Sequence, residues 1–310
     1  MPLVRRVRSF ARGVAERYGG LPRPSSQVDT PTPEAAHDIT RLWLRSSRPF
    51  GARRVTDSAG EAVICMTTRG RRLADVWVAI ESIGRGTVRP ARLILWLDEP
   101  RRLPARLKRL RARGIEIRFT PAGNRVHTKY WPYIESEPLE RPLVLADDDI
   151  VYPPTWLEVL LREHHKTPDL VVAYRAHVIG MTGEDFTPYA QWRSCDDDTA
   201  SFAHLATSVS GQVLPVALQR ALHAEGVAFR ELAPTNDDIW IHRTAVGAGI
   251  RTRQALPGQR HWPFVPGSQG EGLNIVNVVG GANDAQLATC HTAVTRQRIR
   301  DDIDRAAVTP

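Results

Sequence analysis

The chain has 310 residues, of which 42% are hydrophobic and 25% charged. This balance is typical of a soluble globular protein, and no apolar run approaches the roughly 18 to 20 residues that span a bilayer. The formal charge of +8 favours an anionic partner such as nucleic acid, anionic lipid or a phosphorylated substrate, without choosing among them.

The three cysteines, Cys65, Cys195 and Cys290, lie far apart in the sequence. They form neither a disulfide framework nor a zinc motif, and we expect them to be buried thiols. The N-terminus lacks the apolar segment and cleavage site of a secretory signal. We therefore expect a cytoplasmic protein.

Residues 1–50 differ from the rest and are predicted to be a basic N-terminal helical extension and linker. Five apolar residues recur at helical spacing among five arginines between Leu3 and Tyr18. Such a helix could make peripheral contact with the inner face of a membrane. An amphipathic helix packed on the main domain, or a frayed basic arm, explains the pattern equally well. Residues 19–33 are rich in Gly, Pro and Ser and predict a linker, which leaves one domain over residues 51–310.

Strand and helix patterns alternate from Glu61 onward. The predicted elements are a strand at Ala62–Thr67, a helix at Leu73–Ile83, a strand at Arg92–Leu97, a helix at Pro104–Arg113 and a strand at Ile115–Phe119. This alternation predicts an α/β domain with a mostly parallel, Rossmann-like sheet flanked by helices. Such sheets bind ligands at the carboxyl ends of their strands, where Thr67, Arg69 and Asp98 fall.

Three consecutive acids end the next predicted strand, Leu143–Ala146. Asp147, Asp148 and Asp149 precede Pro153 and Pro154, after which a helix begins at Thr155 or Trp156. In an extended chain Asp147 and Asp149 point to one side and Asp148 to the other. Two carboxylates on one side suit a hard cation such as Mg²⁺ or Mn²⁺. The alternative is a solvated Asp turn that caps the helix.

The second half of the chain is less regular. A strand is predicted at Leu170–Tyr174, a long excursion over the sheet at His177–Phe202, and a helix at Pro215–Glu225. Thr235 or Asn236 caps a further helix, with Asp237 and Asp238 in its first turn. The helix dipole alone explains acids at that position. An acid that faces the crevice could equally serve as a general base.

Five motifs together resemble those of bacterial family-2-like glycosyltransferases with the GT-A fold, in the same order and spacing. They are Thr67-Thr68-Arg69, Lys129-Tyr130-Trp131-Pro132, Asp147-Asp148-Asp149-Ile150-Val151-Tyr152-Pro153, Ser210-Gly211-Gln212-Val213-Leu214-Pro215 and Pro234-Thr235-Asn236-Asp237-Asp238-Ile239-Trp240. The resemblance covers residues 61–250, with a weaker echo at Asn283–Leu287. Its most specific part is the pair of Asp motifs.

The resemblance implies a metal-dependent transfer of a sugar from a nucleotide-diphosphate sugar to a hydroxyl of a glycan or glycolipid, as in bacterial polysaccharide synthesis. Asp147 and Asp149 would bind Mn²⁺ or Mg²⁺ and the donor diphosphate, with Asp149 the direct ligand. Asp238 would be the base, with Asp237 beside it. Because relatives show Glu-Asp where this chain has Asp-Asp, the choice between the two aspartates stays open.

The remaining candidates lie on the donor side. Lys129 and Arg69 are candidates for phosphate contact, and Gly211 either admits the donor sugar to the backbone or makes a turn. The full expected donor-binding set is Thr67, Arg69, Asp98, Lys129, Asp147, Asp148 and Gly211. We expect an inverting reaction, although the residues also allow a retaining one.

Three other classes of protein stay open. A nucleotidyltransferase usually has a basic Gly-rich loop after its first strand, and the segment from Thr67 to Arg72 is a faint version of one. A nucleic-acid-binding protein would explain the charge, but the acids at the predicted crevice would repel phosphates and no recognised motif is present. A non-catalytic sugar-binding relative is the third alternative, against which the intact aspartates argue.

Overall fold

A computed structural model describes residues 53–99, 102–265, 268 and 281–308. The predicted basic extension and linker of residues 1–50 lie outside this part of the chain. The domain boundary near residue 50 therefore stays a prediction.

A seven-stranded sheet forms the centre of the described structure. Its strands are β1 (Val63–Thr67), β2 (Arg92–Leu97), β3 (Glu116–Phe119), β4 (Leu143–Leu145), β5 (Val171–Ala173), β11 (Gln212–Leu214) and β12 (Thr252–Gln254), in the order β12-β5-β11-β4-β1-β2-β3. Every neighbouring pair is parallel except the two that involve β11, which runs against β4 and β5. The predicted mostly parallel, Rossmann-like sheet is confirmed.

Side chains of the central strands alternate between two apolar cores because successive residues of a strand point to opposite faces. Ile64 and Val144 belong to one core, together with the helix residue Trp156. Cys65 and Leu145 belong to the other, which helices from the second half of the chain cover. Both faces of the sheet are therefore buried, as expected of parallel strands. All three cysteines are buried free thiols, as predicted.

Helices lie on both faces of this sheet. They are α1 (Trp77–Gly84), α2 (Ala105–Ala112), α3 (Trp131–Ser136), α4 (Trp156–Lys166), α5 (Val216–Glu225), α6 (Phe229–Leu232), α7 (Asp237–Gly247), α8 (Ala282–Cys290) and α9 (Ala293–Val308). The predicted cap of α7 is confirmed, since the Asn236 side chain accepts a hydrogen bond from the Ile239 amide. No helix in the described ranges is both long and apolar enough to cross a membrane.

Two predicted segments differ in the structure. The predicted helix at Leu73–Ile83 is divided into a 3₁₀ turn at Gly70–Ala74 and helix α1, which begins at Trp77. The predicted excursion at His177–Phe202 contains ordered strands. Strand β9 (Arg193–Ser194) within it and β6 (Ala176–Val178) and β10 (His204–Ala206) at its two ends form a small antiparallel sheet, and β7 (Met181–Thr182) pairs with β8 (Asp185–Phe186). Strands of two or three residues are too short to show a period of two.

Candidate active site

The acidic turn after β4 lies at the carboxyl end of the central strands. Strand β4 ends at Leu145, and Asp148 and Asp149 already belong to a turn. The predicted alternation of an extended chain therefore does not apply. Instead one nitrogen of Arg72 lies 3.0 Å from Asp148 Oδ1 and 3.1 Å from Asp149 Oδ2, so these two carboxylates share a guanidinium.

Asp148 anchors this turn to the loop that follows β1. Its Oδ2 accepts a hydrogen bond from Thr68 Oγ1 at 2.5 Å, and its Oδ1 accepts one from Arg72. Both Thr68 and Asp148 are buried. Burial raises the pKa of Asp148, while Arg72 and the hydrogen bond from Thr68 oppose the rise. The carboxylate thus ties two neighbouring strand ends together.

Lys129 joins the acidic turn to the first turn of α7. It ends the 3₁₀ turn Arg125–Lys129. Its Nζ lies 2.6 Å from Asp147 Oδ1, 3.4 Å from Asp237 Oδ2 and 3.0 Å from Ser208 Oγ. Burial by itself would lower the pKa of Lys129, but the surrounding aspartates raise it well above its ordinary value. The two predicted acidic motifs therefore meet around one ammonium group.

Asp238 is held by donors from the segment before β11. Its Oδ1 accepts hydrogen bonds from the Ser208 amide at 3.0 Å, from Ser208 Oγ at 2.8 Å and from Gln212 Nε2 at 3.2 Å. Burial, followed by the charge of Asp237, raises the pKa of Asp238 to about 7. A fixed carboxylate with such a pKa is suited to accept a proton near neutral pH.

Asp237 and Asp149 are buried acids that lie close to other carboxylates. Asp237 Oδ2 is buried and faces Lys129 without a hydrogen-bond partner among the described residues. Burial and the charges of Asp147 and Asp148 raise the pKa of Asp149 to about 7. Crowded, buried carboxylates of this kind favour an additional cation.

The oxygen donors of Asp147 and Asp149 are chemically suited to Mg²⁺ or Mn²⁺, which protein sites often hold by one or two carboxylates with water and phosphate oxygens. The three aspartates do not, however, form a group of three mutually close donor atoms.

Among the described residues, Cys195, Asp197 and His204 do form such a group, with one donor atom of each lying within 4.8 Å of the others. There the sulfur lies 3.9 and 3.7 Å from the two ring nitrogens of His204, so neither nitrogen is clearly directed at it.

The predicted residues at the ends of β1 and β2 lie at the same edge of the sheet. Thr67 Oγ1 donates a hydrogen bond to the Trp96 carbonyl at 3.0 Å and so joins β1 to β2. Arg69 is exposed, and Asp98 is half-buried. These positions do not by themselves indicate that any of the three residues contacts a phosphate. Their donor-binding roles stay predictions.

Gly211 is required by packing. Its φ is +103°, and a Cβ atom at this position would lie 2.7 Å from ring atoms of Trp156. The Trp156 indole donates a hydrogen bond to the Ser210 carbonyl at 2.9 Å. The contact with Trp156 explains the glycine without a bound donor sugar.

Four polar side chains of the site were missed in the sequence: Thr68, Arg72, Ser208 and Gln212. Thr68 and Gln212 belong to motifs that carry the family resemblance. Their positions next to Thr67 and Gly211 were the features of the sequence that could have identified them. Arg72 lies in the faint basic loop from Thr67 to Arg72, but nothing in the sequence distinguished it from Arg69 and Arg71. Its role depends on the turn at Gly70–Ala74, which brings its side chain to the acids.

Comparisons with known proteins give a weak likeness to a solved structure. No protein-family model and no curated protein matches the chain. The chain is similar to the solved structure of CMP:2-keto-3-deoxy-manno-octonic acid synthetase complexed with CTP, with 15% sequence identity and a TM-score of 0.37. The match covers 63% of this chain and 89% of that chain. A likeness this weak carries no inference about function.

Proposed function

We propose that the protein is a metal-dependent glycosyltransferase that moves a sugar from a nucleotide-diphosphate sugar to a hydroxyl acceptor. One observation carries the proposal: the Lys129 ammonium lies 2.6 Å from Asp147 and 3.4 Å from Asp237, which brings the two acidic motifs together. Donor activation and acceptor deprotonation need separate acidic groups within one site, and this arrangement supplies both.

The donor side of the proposed site consists of the acidic turn and its two cations. Asp149, with Asp147, would hold Mn²⁺ or Mg²⁺, which would neutralise charge on the diphosphate leaving group. Arg72 and Lys129 bind these carboxylates in the structure and can donate to phosphate oxygens as well. The carboxylates and the cations are thus matched to a metal diphosphate.

The acceptor side is assigned to Asp238. An acceptor oxygen forms the new bond to the anomeric carbon, and the bond from that carbon to the diphosphate breaks with its electron pair leaving on the diphosphate. Asp238 takes the proton of the attacking hydroxyl. Attack opposite the leaving group inverts the anomeric configuration. Ser208 and Gln212 orient the carboxylate for this role through its Oδ1.

The proposal extends to a glycan or glycolipid acceptor in bacterial polysaccharide synthesis. For a lipid-linked acceptor, the basic N-terminal segment would supply peripheral membrane contact. That segment lies outside the described residues, and its role is tested by binding of the full chain to anionic vesicles.

The first experiment measures thermal shifts of the full chain with UDP, GDP, CMP and their common sugar conjugates, each with and without Mn²⁺. A ligand that binds only the native protein raises its apparent stability. We expect a metal-dependent shift with one nucleotide class. Asp149→Asn should remove this shift, whereas the exposed Asp198→Asn should keep it. Donor affinity unchanged in Asp149→Asn would contradict the metal assignment.

A nucleotidyltransferase is the second candidate, and the position of Arg72 favours it. Arg72 belongs to the basic turn after β1, and its guanidinium lies against Asp148 and Asp149. A basic loop in this place can contact a nucleoside triphosphate. The two reactions release different products, because a glycosyltransferase releases a nucleotide and a nucleotidyltransferase releases pyrophosphate. Pyrophosphate release from a nucleoside triphosphate and a sugar substrate would therefore overturn the first proposal.

A further inference from the structure

Arg175 is a partly buried cation whose polar partners are all neutral. It lies between β5 and β6. Its Nε donates to Gln259 Oε1 at 3.3 Å, one terminal nitrogen donates to Thr207 Oγ1 at 3.3 Å, and the other lies 3.2 Å from His177 Nε2. None of the carboxylates in the described ranges lies within ion-pair distance of it.

Two of the more deeply buried arginines among the described residues are paired with acids. Arg113 lies against Glu81, and Arg253 lies 3.3 Å from Glu163. Burial lowers the pKa of Arg175, and this effect exceeds the opposite effects of Tyr189 and Asp238. A guanidinium kept from water without a counter-ion is costly unless an anion joins it.

The position of Arg175 connects it to the proposed base. Its partner Thr207 immediately precedes Ser208, which donates two hydrogen bonds to Asp238. The charge of Asp238 also acts on Tyr189, whose pKa is raised to about 12 mainly by burial. Asp238 is therefore close enough to Arg175 and to Tyr189 for its charge to raise the pKa of each.

Aromatic rings continue from Arg175 across the small sheet. The His177 and Tyr189 rings meet edge to face with centroids 5.5 Å apart, and the Tyr189 and Trp192 rings are 4.9 Å apart. After burial, the charge of Arg175 lowers the pKa of His261, and the charges of Arg175 and His261 lower the pKa of His177. A cation beside aromatic rings is suited to a sugar that carries an oxyanion.

We propose that Arg175, with His177 and Tyr189, forms an acceptor-side subsite for a phosphate or carboxylate group carried by the acceptor. A guanidinium has five N–H donors, and three of them are engaged by the neutral partners. Two donors are left for an oxyanion. The assignment of this subsite to the acceptor rests on the proposed function, whereas the binding of an anionic sugar there does not.

The test uses three sugars with similar rings and different substituents: glucose, glucose 6-phosphate and glucuronate. Calorimetry measures their binding to the full chain in buffer free of divalent metal and phosphate. Charge-assisted hydrogen bonds should make at least one anionic sugar bind about tenfold more tightly than glucose. Preference for glucose 6-phosphate identifies a phosphate, and preference for glucuronate a carboxylate. Equal binding of all three sugars, or no binding, would overturn the proposal.

Variants then assign the binding to Arg175. Arg175→Gln should weaken binding of the preferred anionic sugar by about tenfold, and Arg175→Lys by less because the charge is kept. The exposed Arg220→Gln in α5 is the control and should bind as the wild type does. Unchanged affinity in Arg175→Lys and Arg175→Gln alike would place the anion elsewhere. If Arg175→Gln does not fold, Arg175→Lys and the wild-type comparison still decide.

The same proteins separate this proposal from the proposed function. Metal-dependent binding of a nucleoside diphosphate should be the same in Arg175→Gln and the wild type, because Arg175 has no contact with Asp147 or Asp149 in the ion pairs described. Failure of every nucleotide to bind would count against the glycosyltransferase and leave the sugar result intact. Nucleotide binding without a preference for an anionic sugar would count against the Arg175 subsite and leave the proposed glycosyltransferase intact.

Discussion

At the scale of single residues, Asp238 allows the sharpest test of the chemistry. Asp238→Asn keeps an acceptor oxygen for the hydrogen bonds from Ser208 and removes the ability to take a proton. We expect donor binding to be retained and the rate of transfer to fall by about 10²- to 10⁴-fold. Calorimetry with the donor and a product assay measure the two effects. The control is Asp196→Asn, at a highly exposed aspartate. If Asp238→Asn lost donor affinity by a factor comparable to its loss of transfer rate, its assignment as the base would be contradicted.

The pH dependence of transfer follows from the same carboxylate. Burial and the charge of Asp237 raise the pKa of Asp238 to about 7. The base acts in its ionised form, so the single-turnover rate at saturating donor should rise as pH increases through about 7. Asp237→Asn removes one like charge and should move the midpoint towards lower pH. A midpoint that stays in place in this variant would exclude Asp238 as the titrating group.

Residue types and order could be predicted from the sequence here, but partners could not. Asp147 to Asp149 follow an apolar strand, and Asp237 and Asp238 lie in the first turn of a helix. Both patterns can be seen in the sequence. Arg72 and Arg175 differ from other arginines only by what the fold brings near them. Arg72 meets two carboxylates, and Arg175 meets neutral groups.

At the scale of elements, the turn before β11 fixes the position of Ser208 and Gln212. The 3₁₀ turn Ser208–Ser210 leads through Gly211 into β11, which runs antiparallel between β4 and β5. Trp156 at the start of α4 packs directly on Gly211. Helix α4 thereby determines where two donors of the Asp238 carboxylate lie.

We expect Gly211→Ala to lower the free energy of unfolding by about 2–4 kcal/mol, because it combines a left-handed backbone with a clash against a buried ring. The control is Gly247→Ala at the end of α7, where a Cβ atom meets nothing within 4 Å. Alanine there should be neutral or stabilising by up to about 1 kcal/mol. Urea unfolding monitored by circular dichroism measures both. Equal stability of the two variants would show that Trp156 moves aside.

The length of an element explains only part of what could be predicted, since the 16-residue helix α9 was not predicted and the three-residue strands β4 and β5 were. Strand β2 has the predicted bounds, and helices α4, α5 and α7 lie where predicted, since each extends over enough residues to show a pattern. Strands β11 and β12 were not predicted. Each has three residues and is defined by partners that are distant in sequence, such as Val144 opposite Val213.

At the scale of the whole molecule, the fold collects acids at one edge of the sheet in a chain of net charge +8. Asp149 and Asp238 have pKa values raised to about 7, which lie above the ordinary aspartate value. Such groups bind protons more tightly in the folded state than in the unfolded chain. Their contribution to stability therefore increases as pH falls below about 7.

Buried histidines oppose this trend, and His127 is the clearest of them. Its ring is fully buried, stacks on Phe229 at 4.2 Å, and contacts Tyr130 Oη at 2.9 Å and the Ala233 carbonyl at 2.7 Å. Burial lowers its pKa to about 4. The unfolded chain binds the proton more tightly, so His127 stabilises the fold fully above about pH 6.5, and this contribution is lost as pH falls towards 4.

We therefore expect His127→Gln to be less stable than the wild type near neutral pH, because it loses the ring stack, and to be less sensitive to acid. Between about pH 6.5 and 4.5 the difference in unfolding free energy should narrow by up to about 1.4 kcal/mol per pH unit. Because both proteins keep Asp149 and Asp238, the effect of these acids cancels in the comparison. Urea unfolding at several pH values measures the difference. Parallel stability curves would mean that the buried imidazole takes up its proton without unfolding.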